Sequence, residues 1–250
     1  MKQLFSVVMV IVMVMVALGA MASSAIAGAG GLCDGLDAAY INSHSPYQFQ
    51  EVLEKHELKE YKMCLVITVF QGHYAPVLVP ESKDAVIFGE IVKNKVPVSQ
   101  AYISKLEAGK IAQYAKQLED AVAFTYKPAV AAKSYMYMFT DPDCPYCERS
   151  KDQVARFAEE NGVEVRVVLF PLPMHPDAKT KSVKGVCSKM TYKDYIDARY
   201  EGTPCPEGER KIENSLKLGR ELNVNGTPTF IGASGRRASG FMPDQMKEIL

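Results

Sequence analysis

The sequence predicts two joined units, a small α+β domain followed by an α/β domain with a helical insertion. Three observations predict it. Apolar runs separated by Gly and Pro breaks fill residues 28–96, as in a short antiparallel meander. An amphipathic stripe then carries the chain across residues 99–126. From Ser134 onward strands and helices alternate in the strand–helix–strand order of a right-handed parallel crossover.

The first 27 residues stand apart. Lys2 precedes a nearly unbroken apolar run from Val7 to Leu18, and Ala25-Ile26-Ala27 closes it. A charged start, a short apolar core and a small-residue exit make a secretory signal peptide, residues 1–27, cleaved after Ala27. The run is short for a bilayer span. Leu32 is too bulky to precede a lipidated cysteine, so Cys33 is not expected to be an anchor. The chain holds 29 basic and 29 acidic residues, and the leader takes one lysine and no acid with it, leaving a formal charge of −1. That balance gives no electrostatic reason to expect nucleic acid or an anionic membrane as partner. All six cysteines lie beyond the leader, in a chain whose destination lets disulfides persist.

Within the first unit, Ser45–Lys55 reads as a short helix. Strands are expected at Met63–Phe70, Tyr74–Val79 and Ala85–Val92, broken by Gly72-His73 and by Pro80–Asp84. Three strands and a helix bury little core, so pairing with a second copy is expected. Pro97 and Ser99 start a helix, and Ile111, Tyr114, Ala115, Leu118 and Val122 then form one apolar stripe, stopped by Lys127-Pro128. A packed surface helix and a linker helix both fit that stripe. In the second unit, Ser134–Thr140 is a strand, Cys144–Asn161 a helix closed by Gly162, and Val163–Phe170 a valine-rich strand. Asp177–Tyr200 is mostly helical and Glu207–Leu222 is a helix. Thr229–Ile231 opens a strand, Ser234-Gly235 turns, and Pro243–Leu250 is the last helix.

The chemistry sits in "FTDPDCPYCERS". The crossover places Cys144 at a strand tip and in the first turn of a helix, where free backbone N–H groups favour a thiolate, the nucleophilic form. Pro145 suits that turn because its missing N–H would have had no partner. Cys147, one turn on, shares a face with Cys144, a geometry for an attacking dithiol or a reducible disulfide. A zinc site needs four ligands, and there is no second C-x-x-C; the histidines stand singly at 44, 56, 73 and 175. Haem attachment needs histidine after the second cysteine, and the chain has Glu148. Redox chemistry is the reading that remains.

A second motif, "VNGTPTF", pairs Thr227 with Pro228 at the opening of a strand, 84 residues after Cys144. Together with the upstream C-x-x-C crossover it resembles the cis-proline loop of the thioredoxin superfamily. With "AVIFGEIV" in the first unit and the helical stretch bearing Cys187 and Cys205, the mature chain resembles the periplasmic disulfide isomerases of the DsbC/DsbG family. The resemblance implies a V-shaped homodimer. Residues 28–97 would be a cystatin-like dimerisation domain, 98–127 a linker helix, and 128–250 a thioredoxin-fold catalytic domain with a helical insertion at about 175–222. Cys144 would attack wrong disulfides in misfolded exported proteins through a mixed disulfide, and Cys147 would release trapped complexes. Thr227 and Pro228 would bind substrate, and Cys187–Cys205 would be a structural disulfide stabilising by about 3 kcal/mol. A membrane-bound, DsbD-like thiol reductant is the implied partner; no cofactor or metal is needed. The Pro145-Tyr146 dipeptide is more like DsbG, whereas Cys187 and Cys205 are more like DsbC.

Other functions remain open at this stage. A reductant of sulfenylated single cysteines would use the same Cys144. A chaperone would hold unfolded chains in the cleft, with the thiols secondary. Cys33 and Cys64 lie outside the family pattern: a bridge between them, an inert buried Cys64, and a bond between two copies all stay open. Thioredoxins proper carry a buried carboxylate where this chain has Met138, so the proton of Cys147 must be handled otherwise. Asp141 and Asp143 are expected to be solvated loop carboxylates, and His175 either reaches the active-site rim, if its loop folds over it, or is a loop residue without chemical role.

Overall fold

A computed structural model describes residues 31–250. The expected signal peptide and its cleavage after Ala27 lie outside these described residues. The first domain is a four-stranded antiparallel sheet, order β1-β2-β3-β4. Its strands are β1 (Val52–Leu58), β2 (Met63–Phe70), β3 (His73–Pro80) and β4 (Ile87–Phe88). Gln71 and Gly72 both take positive φ (49° and 81°), the turn that joins β2 to β3 with matching twist. β2 is buried on both faces, and its side chains alternate. Cys64 and Val66 join Leu36, Ile41, Val77 and Val79 on one side. Leu65 and Ile67 meet Leu78, Tyr102, Ile103 and Leu106 on the other.

Two expectations here are corrected. The short helix is α1 (Ala38–Ser43), not Ser45–Lys55. Asp37 caps it by accepting from the Tyr40 amide at 2.8 Å, and the second half of the expected helix is instead pulled into β1 by pairing with β2. The third expected strand, Ala85–Val92, shrinks to β4 and a separate short β5 (Val92–Lys93), which pairs with β6 (Val96–Pro97).

The connecting segment is not one helix. α2 (Gln100–Gln113) ends at Tyr114, α3 (Ala115–Ala121) follows, and β7 (Phe124–Tyr126) is already an edge strand of the second sheet. The break hands the chain from one core to the other. Tyr102, Ile103 and Leu106 of α2 cover the first sheet, whereas Ile111, Tyr114, Leu118 and Val122 of the apolar stripe pack on the second. Ala115, counted in that stripe, is exposed because the helix restarts there.

The second sheet has order β11-β10-β8-β9-β7. β8 (Ser134–Thr140) and β9 (Val163–Leu169) are parallel, joined by α4 (Pro145–Asn161). Gly162 ends α4 at φ 64°, a left-handed conformation that suits glycine. Both faces of the sheet are covered, so alternate residues of β8 enter different cores. Met136 and Met138 meet Val154, Phe157 and Ala158 of α4, while Tyr137 and Phe139 meet α3 and the C-terminal half of α7. The insertion comprises α5 (Ala178–Cys187), α6 (Tyr192–Ile196) and α7 (Pro206–Glu221). Gly208 lets α7 close onto α5, since a Cβ there would lie 2.5 Å from the Cys187 Sγ. β10 (Thr229–Gly232), β11 (Arg237–Ser239) and α8 (Pro243–Ile249) finish the domain. The result is an N-terminal antiparallel-sheet domain and a C-terminal thioredoxin-like α/β domain with a helical insertion.

Candidate active site

Cys144 is the N-cap of α4, with extended backbone, and Pro145 occupies the first helical position. β8 delivers the chain there, and Asp141 ties the loop by accepting from the Cys144 amide through its carbonyl at 3.2 Å. The Cys144 side chain makes no bond to the free amides of its own helix. It turns instead to the loop before β10, donating from Sγ to the Thr227 carbonyl at 3.3 Å. The Thr227-Pro228 bond is cis. The two sequence motifs, 84 residues apart, thus meet at one sulfur.

Cys144 and Cys147 are the free cysteines of the described residues, and both are buried. Burial pushes the Cys147 thiol up to about 11 from its usual 9.0. The nearby backbone of Asp141 and the side chains of Thr140 and Thr227 act against that rise, and the charge of Cys144 adds to it. The remaining four cysteines are paired as Cys33–Cys64 and Cys187–Cys205, with Cα atoms 5.2 and 5.9 Å apart. The first bond ties the segment before α1 to β2, and the second ties α5 to the start of α7. Among the described residues no cluster of His, Cys, Asp or Glu side chains is placed to hold a metal.

The surroundings correct the expectations for the two aspartates and bring His175 over the active-site loop. Asp141 is not solvated: it is 1% exposed, and its carboxylate accepts from the amides of Asp143 (2.7 Å) and Leu172 (2.5 Å). Its third partner is His175, whose Nδ1 lies 2.9 Å from Oδ2, so the loop histidine folds over the active-site loop and holds it. Asp143 pairs with Lys181 of α5, which raises that lysine's pKa through their hydrogen bond. Both acids therefore fasten the loop, Asp141 from the interior and Asp143 from a half-buried position. The Cys144 rim carries exposed apolar groups. Tyr146 is 65% exposed, Met174 precedes His175, and a groove runs past Tyr146, Arg149, Gln153, Pro228 and Phe241.

Two more residues had no signal in sequence. Lys151, one turn beyond Cys147 on α4, is buried; its Nζ pairs with Glu148 at 2.5 Å and lies 4.6 Å from the centre of the Tyr195 ring. Tyr195 is fully buried, and its hydroxyl lies 2.6 Å from the Thr140 Oγ1. Both depend on how the insertion packs onto α4, which no local pattern encodes.

Comparison with known proteins agrees with this geometry. The model of the family described as "Thioredoxin-like domain" matches residues 127–250. A "Probable Thioredoxin" of Archaeoglobus fulgidus is 31% identical over 96 residues, which are 36% of this chain and 97% of that protein. A "Probable thiol:disulfide interchange protein DsbC" of Bordetella parapertussis is 35% identical over 112 residues, covering 43% of this chain and 38% of the relative. The "Thiol:disulfide interchange protein DsbG" of Pseudomonas aeruginosa is 26% identical over 133 residues, covering 48% of this chain and 52% of the relative. The matched part thus spans about half or less of the length of these two interchange proteins. The chain belongs to the thioredoxin family, and it is similar to thiol:disulfide interchange proteins of the DsbC/DsbG kind.

Proposed function

We propose that this protein isomerises incorrect disulfides in exported proteins. The observation that carries the reading is the Cys144 sulfur set at a helix N-terminus and against the Thr227 carbonyl, beside an open groove lined by Tyr146, Pro228 and Phe241 together with Arg149 and Gln153. An extended substrate laid along the loop at Thr227 and Pro228 brings its disulfide to Cys144. The thiolate attacks one substrate sulfur, forming a mixed disulfide and freeing the other as a thiolate. That freed thiolate attacks elsewhere in the substrate, releases Cys144, and no net electrons move. When the substrate stalls, Cys147 attacks Cys144, reduced substrate leaves, and the Cys144–Cys147 disulfide remains. A membrane-bound thiol reductant must then return two electrons. The signal peptide expected at residues 1–27 and the resemblance to periplasmic interchange proteins support a periplasmic location. Exposed Ile87, Phe88, Val92 and Val96 on the short strands of the first domain offer an apolar edge for a second copy, in support of a homodimer.

The Pro145-Tyr146 dipeptide, with its exposed Tyr146 ring, favours a second reading, a reductant of sulfenylated single cysteines. One experiment separates them: recovery of a scrambled multi-disulfide enzyme by the mature protein and by its Cys144→Ala variant. Recovery by the wild type that the variant loses is the expected result. No recovery by a protein whose Cys144 still reacts with disulfides overturns isomerisation in favour of the reductant. Recovery that survives Cys144→Ala overturns both and leaves a holding chaperone.

A further inference from the structure

The turn that delivers Cys144 is gripped by a segment distant in sequence. Asp141, Pro142, Asp143 and Cys144 form a β-turn, closed by the Cys144 amide donating to the Asp141 carbonyl at 3.2 Å. The Asp141 side chain is buried, and its carboxylate takes three N–H groups. Oδ1 accepts from the Asp143 amide at 2.7 Å, inside the turn. Oδ2 accepts from the Leu172 amide at 2.5 Å and lies 2.9 Å from the His175 Nδ1. Both oxygens already accept amide hydrogens, so the imidazole is the donor and carries its hydrogen on Nδ1. Leu172 and His175 arrive together because their own segment is closed. The His175 amide donates to the Leu172 carbonyl at 3.0 Å, and Pro171, Pro173 and Pro176 restrict the chain around them. Lys181, a little further on, pairs with Asp143. One segment thus holds both acids of the cysteine turn.

We propose that His175 is a positioning residue which, through Asp141, holds the turn beneath Cys144 and offsets the buried carboxylate, and so favours the attacking Cys144 thiolate. The proposal deepens the thiol-exchange reading above and rests on it. A β-turn brings its first and last Cα atoms within about 7 Å, so the Asp141 charge stands close to the sulfur. At that range, in a partly buried site, a carboxylate opposes a second negative charge. Each N–H aimed at the carboxylate weakens that opposition. The other acids around the turn have lysine partners, Asp143 with Lys181 of α5 and Glu148 with Lys151 of α4. Asp141 has none among its partners, so its compensation falls to two amides and the histidine. The remaining titratable groups here are Cys147, Tyr200 of the insertion and Asp177 at the head of α5. In the attack, the Cys144 thiolate bonds to one substrate sulfur, the substrate S–S bond breaks, and the departing sulfur takes the electron pair.

The test uses reduced, full-length mature protein and an aromatic disulfide whose leaving thiolate is coloured. The first colour is released when Cys144 attacks, and its rate is followed from about pH 5 to about pH 9. His175→Phe keeps a ring and removes the donor. It is expected to move the inflection of that rate up by about one pH unit. Below the inflection such a shift removes about tenfold of the thiolate and restores about threefold in nucleophilicity, so the attack slows about threefold. Above both inflections the variant should be faster by about threefold, and the two profiles should cross. His175→Asn, which retains a short N–H donor, should return the inflection towards wild type. Lys179→Met is the control: that exposed lysine of α5 meets Glu213 at 3.9 Å, and its loss should leave the inflection in place. A His175→Phe profile with the wild-type inflection overturns the proposal, whether its rate is unchanged or lower at every pH. Should His175→Phe fail to fold, His175→Leu and His175→Asn are read by the same criterion. Failure of the parent reading is distinct, because it is a wild type with a normal Cys144 profile that recovers no scrambled enzyme.

Discussion

The two sheets of this molecule are supported unequally. Among the described residues, the apolar clusters on the faces of the first sheet hold seven and three buried side chains. Those on the second hold nineteen and ten. Each domain also carries one disulfide, Cys33–Cys64 in the first and Cys187–Cys205 in the second. A cross-link adds stability that grows slowly with loop length and takes no account of the core beside it. The same bond should therefore be a large fraction of the first domain's stability and a small fraction of the second's.

Breaking each bond tests that inequality and carries the largest expected effect. For sequence separations of 31 and 18 residues, chain-entropy arithmetic gives about 4 and about 3 kcal/mol. Cys33→Ala should leave β2 and β3 open to solvent exchange, because a small domain has little more than that to lose. Cys205→Ala should weaken the second domain by a similar amount and leave it folded. Amide hydrogen exchange reads both domains in one sample. Protection of the β2 amides that survives Cys33→Ala would show that the first core stands without its staple.

The same inequality decided what could be read in the sequence. In the second domain the signals were local and agreed with one another. Pro145 and Gly162 bracket α4, alternating valines mark β9, and Thr227-Pro228 announces the loop that meets Cys144. In the first domain the outcome depended on partners distant in sequence. Val52–Leu58 is a strand because β2 pairs with it, in a segment whose own pattern also suits a helix. The active site divides the same way. Cys144, Cys147, Thr227 and Pro228 were legible from motifs, whereas Asp141–His175, buried Lys151 and Thr140–Tyr195 were not. All three arise where the segment after β9 folds back over the end of β8, the following loop and α4, and contacts made by tertiary packing leave no periodicity behind.

A second contrast is electrostatic and of intermediate size. Cys147 is neutral in the folded reduced protein up to about pH 11 but ionises from about pH 9.0 once unfolded. The unfolded state thus gives up its proton first, so the contribution is fully present below about pH 9 and is lost as pH rises to about 11. The loss should be about 2–3 kcal/mol in the reduced protein. Burial also raises Tyr192, Tyr195 and Tyr200, which adds to alkaline sensitivity in the same domain. The difference between wild type and Cys147→Ser, followed by urea midpoint from about pH 8 to about pH 10.5, isolates the thiol. Parallel curves for the two proteins would mean that the Cys147 proton is not held by the fold.

The smallest effects test whether local signals carry equal energy in the two domains. Gly162→Ala forces a side chain into φ 64° with nothing closer than 3.5 Å to its new Cβ, so its cost is conformational alone, about 1 kcal/mol. Asp37→Ala removes the cap from the six-residue α1 and should also cost about 1 kcal/mol, read as a fall in urea midpoint. The consequences should differ although the energies match. α4 has seventeen residues and three core side chains, Val154, Phe157 and Ala158, to hold it without an ideal end. α1 has Ile41 as its one buried residue, so a frayed cap can release it from the sheet. Its amides should then exchange faster while those of α4 do not. A uniform loss across both helices would mean that α1 is held by its neighbours, with the Asp37 cap a lesser tie.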